Sequence, residues 1–373
     1  MKKIKIMILF GTRPESIKMA PLVIALKKDP RFQTLVTLTA QHREMLDQVL
    51  ALFAIAADYD LNLMKPGQTL SYLTASILND LKPILAAEAP DMILVHGDTT
   101  TAFAAALSAF YEQIPIGHVE AGLRTKNKYS PYPEEMNRTL ISQLGDLHFS
   151  PTVGNRDNLI REDIPLSRII ITGNTVIDAL LMTVKADYHF ENPLLNTIDY
   201  QNRRVILLTS HRRENIGAPM EHIFLAIREL VLANPDVEVV FPMHPNPLIA
   251  ETALPLLADL DRVHILAPLD YGEMSNLMGR VYLVLTDSGG IQEEAPALGK
   301  PVVVLRHETE RPEAVAAGTV VMGGVDKNDI IRITQRLLDD PDAYQTMAHA
   351  INPYGDGKAS QRICAAIAAY FKL

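Results

Sequence analysis

Short apolar runs alternate along the chain with longer stretches whose apolar residues have helical spacing. The runs are rich in isoleucine, valine and leucine, as in IKIMILF and DMILVHGD early in the chain and RVILLTS and VYLVLTDSGG later. Buried parallel strands have this character because helices cover both faces of their sheet. The rhythm occurs twice, so the pattern predicts an α/β fold with two series of parallel strands.

The two series are separated by residues 173–203, which hold one helical pattern and then a polar stretch. We place the boundary near Gly173, which predicts a Rossmann-like domain over 1–172 and a second one over 173–356. The last segment, about 357–373, has helical spacing and is expected to pack back on the first domain. Two domains also suit a chain of 373 residues, which is longer than a single core usually grows.

Composition narrows the classes of protein. The chain is 48% hydrophobic and 21% charged, as soluble globular proteins are. Its net charge of −9 and the lack of a basic stripe argue against a nucleic-acid partner, and no apolar run is long enough to predict a membrane span. Cys364 is the only cysteine, which excludes internal disulfides. Since MKKIKIMILF is better interpreted as a first strand than as a signal peptide, we expect a cytoplasmic protein.

Polar residues follow almost every predicted strand. Ligands of open α/β sheets bind outside the carboxyl ends of the strands, so these residues are candidates for a site. Loops are polar in any case, but repetition over two domains favours a shared cleft between them. The segments are GTRPESIK, HGDTTT, HVEAGLR, SHRRE, MHPNP, TDSGG and RHETERPE.

The first of these segments predicts a helix start beside a cation. Thr12 and Glu15 fit a capping box, with Pro14 in the first turn. Capping does not explain Arg13, which could clamp a phosphate at the helix N-terminus. The dinucleotide fingerprint G-x-G-x-x-G is absent, so a nicotinamide site is not expected.

A glycine turn in the second half, Ser288–Gly290, lies between a predicted strand and a predicted helix. Glycines let backbone N–H groups reach a diphosphate, and the helix dipole favours its charge. Glu294, one turn later, could accept hydrogen bonds from ribose hydroxyls, and Arg306 and Arg311 lie in a loop that could close over the anion. Packing alone can also produce such a turn.

Three acids are candidates for proton transfer. Asp98 and Glu120 follow predicted strands, and Glu134 lies in SPYPEEMNR. A buried carboxylate costs several kcal/mol unless it is paired. The alternative is a salt-bridge network with Arg124 and Arg138 that supports the loop.

Three histidines, His118, His211 and His244, also stand at predicted strand ends. They are poor candidates for a metal site, because no close histidine pair on a helix and no cysteine accompanies them. We therefore predict no metal, and for His211 a role toward a phosphate.

These segments together resemble the bacterial non-hydrolysing UDP-N-acetylglucosamine 2-epimerases. The similar motifs span nearly the whole chain in order. They are FGTRPESIKMAP, TAQHREMLDQVL, LVHGDTTT, HVEAGLRT, SPYPEEMNR, FSPT, ITGNTVIDAL, HRREN, LTDSGGIQEEAPALGKPV and ERPEAV.

The resemblance implies a GT-B-type α/β fold, two Rossmann-like domains with a nucleotide-sugar cleft between them, in a homodimer. It implies an isomerase that reversibly converts UDP-N-acetylglucosamine to UDP-N-acetylmannosamine and supplies precursors for surface polysaccharides. Asp98, Glu120 and Glu134 would do or support proton transfer, with His211 beside them. The residues implied to hold the UDP part are Arg13, Lys18, His211, Met274, Ser288, Gly289, Gly290, Glu294 and Arg311.

The chemistry agrees with such residues. The hydrogen on carbon 2 of the sugar is not next to a carbonyl, so direct abstraction would leave an unstabilised carbanion. If the diphosphate leaves first, a carboxylate can remove that proton to give 2-acetamidoglucal, and UDP then adds back. This route has no net redox step, so no cofactor is predicted.

Two departures from the family pattern concern binding. Met274 stands where many relatives carry phenylalanine against the uracil. Glu44 and Gly67 replace a glutamine and an arginine at an allosteric site that binds a second UDP-sugar in some relatives, which predicts weaker binding there. The other residues that match that site are Gln41, His42, Arg212 and His244.

Three alternatives stay open on the sequence. A GT-B glycosyltransferase would share the fold and the UDP site but needs an acceptor. A hydrolysing epimerase would release UDP and free N-acetylmannosamine. A UDP-sugar-binding regulator would bind the ligand without changing it.

Overall fold

The computed structural model describes residues 3–39, 43–63, 65 and 67–373, with the side chains of 43–45 outside the description. The chain forms two compact units, Met1–Met182 with Tyr354–Leu373, and Thr183–Pro353. The boundary therefore lies later than the predicted position near Gly173. The reason is local packing: Asn174 N donates to the main-chain oxygen of Tyr354 at 2.7 Å, so the segment after Gly173 is tied into the first unit.

A parallel sheet of seven strands forms the centre of the first unit, counted over the described residues, in the order β3-β2-β1-β4-β5-β6-β7. Its strands are β1 (Ile4–Phe10), β2 (Phe32–Leu38), β3 (Tyr59–Asp60), β4 (Met92–His96), β5 (Ile116–Val119), β6 (Leu147–Ser150) and β7 (Ile169–Ile171). The helices that follow are α1 (Arg13–Lys28), α2 (Arg43–Leu52), α3 (Leu70–Glu88), α4 (Thr100–Tyr111), α5 (Glu134–Leu144), α6 (Val153–Ile160) and α7 (Thr175–Thr183), with a 3-10 turn at Leu166–Arg168.

The strand order reverses at β1, which pairs with both β2 and β4. Ile8 is opposite Val36 on one side and Leu94 on the other. These residues are fully buried, because helices cover both faces of the sheet. Ligands of such sheets bind where the order reverses, so the turns after β1 and β4 are the expected position of a site.

The second unit repeats this plan with a six-stranded parallel sheet over its described residues, in the order β10-β9-β8-β11-β12-β13. Its strands are β8 (Arg204–Thr209), β9 (Val237–Pro242), β10 (Val263–Leu266), β11 (Leu283–Thr286), β12 (Val302–Val304) and β13 (Val320–Met322). Its helices are α8 (Ala218–Ala233), α9 (Pro247–Leu257), α10 (Tyr271–Arg280), α11 (Gly289–Ala297), α12 (Pro312–Ala316), α13 (Lys327–Asp339) and α14 (Pro341–Ala348), with 3-10 turns at Pro193–Asn196 and Arg213–Asn215. Here the order reverses between β8 and β11, so His211 and Ser288 follow the two central strands.

The last helix, α15 (Ala359–Tyr370), packs against α1 in the first unit. Its N-cap residue, Lys358, makes no capping hydrogen bond with its side chain. Asp178 on α7 supplies the missing acceptor, since its carboxylate accepts from Ala359 N at 3.1 Å and Ser360 N at 2.8 Å. Within the part of the chain described, no helix is both long and apolar enough to cross a bilayer.

Candidate active site

The turn after β1 has the predicted capping box. Thr12 caps α1, and the Glu15 carboxylate accepts from the backbone N–H of Gly11 at 3.1 Å and of Thr12 at 2.8 Å. Its other oxygen accepts from the hydroxyl of Thr99 at 2.6 Å, after β4. Glu15 is almost fully buried and joins the turns of the two central strands.

Arg13 in the same turn is half-buried; its carbonyl oxygen accepts from Ser16 Oγ at 2.7 Å, while its guanidinium has no hydrogen bond or ion pair with the described residues. A guanidinium beside a helix N-terminus is available to an anion. The phosphate contact of Arg13 stays a prediction.

Glu120 follows β5 and is the centre of a largely buried ion-pair cluster. Lys18 Nζ lies 2.8 Å from Glu120 Oε1 and 2.5 Å from Oε2, and His96 Nε2 lies 2.8 Å from Oε2. Burial opposes ionisation of Glu120, but Lys18 and His96 outweigh it and hold its pKa well below the ordinary value. Lys18, predicted to hold UDP, thus contacts a carboxylate in this structure, and His96 is a group that the sequence reasoning missed.

Asp98 has the opposite electrostatic environment. Burial raises its pKa and the charge of Glu120 adds to the effect, although Arg138 opposes it with an ion pair of 2.6 Å. The side chain of Asn137 donates to the Asp98 carbonyl oxygen at 2.9 Å and fixes the turn. Two neighbouring carboxylates therefore differ in their tendency to ionise.

Glu134 begins α5, and its Oε2 is buried with no hydrogen-bond partner among the described residues. The next residue, Glu135, was not singled out in the sequence and has a structural position: it accepts from the backbone N–H of Thr125 and Lys126 at 2.8–3.0 Å. It also lies 3.4 Å from Arg138 NH1. Glu135 holds the loop, which leaves Glu134 available for a ligand.

Arg124 and Arg138 were both considered as partners of the three acids. Arg138 pairs with Asp98, but Arg124 pairs with Glu162, with contacts of 2.7 and 2.8 Å. Arg124 also donates to Ser142 Oγ on α5 at 2.9 Å. It therefore ties the loop to its surroundings and does not neutralise the acid cluster.

His118 is a core residue of β5 and does not point to a ligand site. Its Nε2 lies 2.7 Å from the carbonyl oxygen of Gly97, its ring packs edge-on to that of His148, and both side chains are fully buried. Burial lowers the pKa of His118 to about 3 and of His148 to about 4. Both rings are therefore neutral at ordinary pH. Among the described residues no group of three or more metal-ligating side chains is present.

In the second unit, His211 follows β8 and Asp287 follows β11. His211 Nδ1 lies 3.0 Å from Asp287 Oδ1, while the backbone N–H groups of His211 and Arg212 donate to Oδ2 at 2.8 and 2.9 Å. Burial opposes ionisation of Asp287, but the hydrogen bonds from His211 and Arg212 lower its pKa below the ordinary value. The sequence reasoning missed Asp287, although it directly precedes the predicted glycine turn.

That turn begins α11, and the N–H of Ser288 in it donates to Thr286 Oγ1 at 2.9 Å. Ser288 is the N-cap residue and makes no capping hydrogen bond with its hydroxyl. A Cβ atom built on Gly289 would lie 3.7 Å from Arg212 NH2 and 3.9 Å from Arg311, so two guanidinium groups border the helix start. On Gly290 it would lie 3.6 Å from a carboxylate oxygen of Glu294. These predicted residues are thus brought together around one helix N-terminus.

The two arginines of the later loop are held by acids. Arg311 Nε contacts Glu293 Oε1, and Arg306 Nε lies 2.6 Å from Glu214 Oε1. Arg306 is buried in this pair, whereas Arg311 borders the start of α11.

The remaining predicted residues belong to several elements. Met274 is half-buried on α10, and His244 is exposed with its ring stacked on that of His211 at 6.0 Å. Gly67 is exposed. Gln41 and His42 lie outside the described residues, as does the side chain of Glu44.

Each unit is thus a doubly wound α/β sheet with polar groups at its reversal of strand order, the architecture of nucleotide-binding proteins. The family model for UDP-N-acetylglucosamine 2-epimerase matches residues 24–368. The UDP-N-acetylglucosamine 2-epimerase of Salmonella typhimurium is 54% identical over 98% of this chain and 99% of its own.

Solved structures agree with the sequence relatives. A Neisseria meningitidis UDP-N-acetylglucosamine 2-epimerase bound to UDP-N-acetylglucosamine has a TM-score of 0.87 at 49% identity, covering 98% of this chain and 100% of its own. A Staphylococcus aureus structure with UDP has a TM-score of 0.88 at 48% identity, covering 99% and 97%. The chain belongs to the UDP-N-acetylglucosamine 2-epimerase family and is an isomerase of the predicted fold class.

Proposed function

We propose that the protein interconverts UDP-N-acetylglucosamine and UDP-N-acetylmannosamine by eliminating UDP to 2-acetamidoglucal and adding UDP back. The observation that carries this proposal is the pair of strand-end carboxylates whose pKa values shift in opposite directions, downward at Glu120 and upward at Asp98. Two carboxyl groups whose pKa values differ in this way can act as the base and the acid of one site. The UDP-sugar bound to the Neisseria relative supports the choice of substrate.

In the proposed elimination, the bond between carbon 1 and the diphosphate oxygen breaks and UDP leaves with the electron pair. Glu120, held ionised by Lys18 and His96, accepts the proton from carbon 2, and the double bond of the glycal forms. In the re-addition, Asp98 donates a proton to the other face of carbon 2 while UDP attacks carbon 1. Proton exchange with water then restores the two carboxyl groups.

Glu134 and Arg138 complete this set. The buried Oε2 of Glu134 has no partner among the described residues, so we propose that it supports one proton transfer by binding the sugar or a water molecule. Arg138 holds Asp98 in place by its 2.6 Å contact.

For the nucleotide, we propose a site at the start of α11. Gly289 and Gly290 present backbone donors to the diphosphate, and Ser288, whose N–H donates to Thr286 Oγ1 at 2.9 Å, offers its hydroxyl. His211 and Arg311 add side-chain donors. Glu294 accepts from the ribose and Met274 contacts the base. In the first unit, Arg13 and Lys18 stay predicted contacts of the UDP part, and Lys18 pairs with Glu120 in this structure.

The first experiment follows UDP-N-acetylglucosamine with the protein in deuterium oxide by proton NMR. We expect UDP-N-acetylmannosamine signals to appear and the proton signal at carbon 2 to be lost, because the base exchanges its proton with solvent. An unchanged spectrum with nucleotide binding intact would refute the proposal. Conversion only with an added acceptor would indicate a glycosyltransferase, and free UDP rising with free sugar a hydrolysing epimerase.

Substitutions test the carboxylates. Asp98→Asn, Glu120→Gln and Glu134→Gln are each expected to lower turnover by about 100-fold or more, the usual size of acid–base effects. Glu88→Gln is the matched control, because Glu88 pairs with Lys5 at the amino end of β4, whereas Asp98 and Glu120 follow the carboxyl ends of β4 and β5. Its substitution should leave the proposed chemistry intact. An unchanged rate in one of the three acid variants would remove that residue from the mechanism.

The homodimer, the cytoplasmic location and the supply of precursors for surface polysaccharides stay predictions from the family. Size-exclusion chromatography with light scattering tests the first of them.

A further inference from the structure

Asp287 is fully buried and its two carboxylate oxygens have different partners. Oδ2 accepts from the backbone N–H of His211 and Arg212, and from Asn215 Nδ2 at 3.2 Å. Oδ1 lies 3.0 Å from His211 Nδ1. One oxygen therefore fixes the turn after β8, and the other is directed to the histidine ring.

This division determines how the ring can be used. The contact is an ion pair by distance, and Oδ1 has no hydrogen-bond partner among the described residues. An ionised carboxylate only accepts hydrogen bonds, so a hydrogen bond formed across this contact requires the proton on Nδ1 and leaves Nε2 for a ligand. His244 stacks on the ring at 6.0 Å with an interplanar angle of 20°, which further restricts its rotation. The titratable groups shown against the ring are Asp287 and His244, and the charged Arg212 is the next residue in the chain.

We propose that Asp287 is the positioning residue that fixes the orientation and protonation pattern of His211, so that Nε2 donates to the diphosphate of a bound UDP-sugar. This inference rests on the proposed UDP site. With Nδ1–H directed to Asp287, Nε2 can donate to a phosphate only when it is protonated too. The bound ring is then an imidazolium between two anions.

Asp287→Asn separates the two roles of the carboxylate. Three N–H donors converge on the position of Oδ2, so the amide oxygen of asparagine takes that position and the amide NH₂ faces His211 Nδ1. Nδ1 must then accept, and the ring becomes neutral with its proton on Nε2. The turn is retained, whereas the protonation pattern is reversed.

The measurement is nitrogen-15 NMR of the histidine rings, with the His211 signals assigned by their loss in His211→Gln. In the unliganded protein we expect Nδ1 to carry a proton, and in the UDP complex we expect both nitrogens to carry one. In Asp287→Asn the proton should be on Nε2 alone. A wild-type ring protonated only on Nε2 would overturn the proposal even if the variant did not fold.

Calorimetric titration with UDP gives the second readout. Asp287→Asn should weaken UDP binding by roughly 10- to 100-fold, the size of a lost charged hydrogen bond. In a His211→Gln background, the same substitution should weaken UDP binding by less than about a further twofold, because the ring through which it acts is gone. An equal loss in both backgrounds would indicate a merely structural role and refute the proposal.

Ser210→Ala is the matched control. Its hydroxyl donates to Asp287 Oδ2 at 3.4 Å and does not face the ring, so UDP binding should change by less than about threefold. If Ser210→Ala weakened UDP binding as much as Asp287→Asn does, the specific role of Oδ1 would be contradicted. If the wild-type protein bound no UDP, the proposed function would fail, while the protonation pattern of unliganded His211 would still test the role of Asp287.

Discussion

Glu120 has a left-handed backbone conformation, with φ of 62°. A residue other than glycine has a cost of about 1–2 kcal/mol in this region, so the fold must hold it there. The contacts from Lys18 and His96 do so, and they keep the carboxylate at the end of β5. Strained backbone of this kind is concentrated at functional sites, which agrees with the role proposed for Glu120.

Gly122, two residues later, has a different constraint. Its φ is 95°, and a Cβ atom would lie 2.2 Å from the main-chain oxygen of Asn155. Gly122→Ala should therefore destabilise the first unit by about 3 kcal/mol, from strain and overlap together. Urea unfolding followed by far-UV circular dichroism measures this loss.

Gly217 provides the control. Its φ of 97° is similar, but nothing lies within 4 Å of an added Cβ atom. Gly217→Ala should thus cost its own unit only the strain, about 1–2 kcal/mol. If the two alanine variants lost equal amounts of unfolding free energy, the Asn155 contact would have no effect.

At the scale of elements, the start of α15 depends on a residue far away in sequence. Asp178→Ala removes the acceptor of Ala359 N and Ser360 N and the negative charge at that helix N-terminus. We expect a loss of about 1–2 kcal/mol in the stability of the first unit. Amide hydrogen exchange in the first turn of α15 should become faster.

Asp80→Ala is the comparison for this substitution, because Asp80 is exposed on α3 in the same unit. It should change stability by less than about 0.5 kcal/mol. Unchanged exchange at Ala359 and Ser360 in Asp178→Ala would contradict the capping role.

The strands and their polar ends were predictable at this scale, because parallel strands buried on both faces need nearly continuous apolar runs. The partner of Arg124 was not predictable. Its position near the acids in sequence suggested a pair with them, yet the fold places Glu162 against it.

For the whole molecule, the buried pair of His118 and His148 predicts sensitivity to acid. Their pKa values are about 3 and about 4 in the folded protein and near 6.5 in the unfolded chain, so the unfolded chain takes up protons first. Their contribution is fully present above about pH 6.5 and is lost as the pH falls. Each should account for about 2 kcal/mol of lost stability at pH 5 relative to pH 8.

Urea unfolding across this pH range checks the prediction. In His148→Leu, the fall in the free energy of unfolding that is linked to these histidines should be about half as large, because only His118 remains. His222→Gln, at an exposed position, should leave the pH dependence unchanged. A wild-type stability that is flat between pH 8 and pH 5 would contradict the assignment.

The sequence by itself determined the α/β class, the two parallel series, the capping box at Thr12 and Glu15, and the family. These follow from local patterns, in which spacing and residue type act over a few positions. The tertiary structure decided which groups meet. It brought Lys18 and His96 to Glu120, and Asp287 to His211. Such contacts join residues on different strands, and their energies depend on burial and distance, which no local pattern contains.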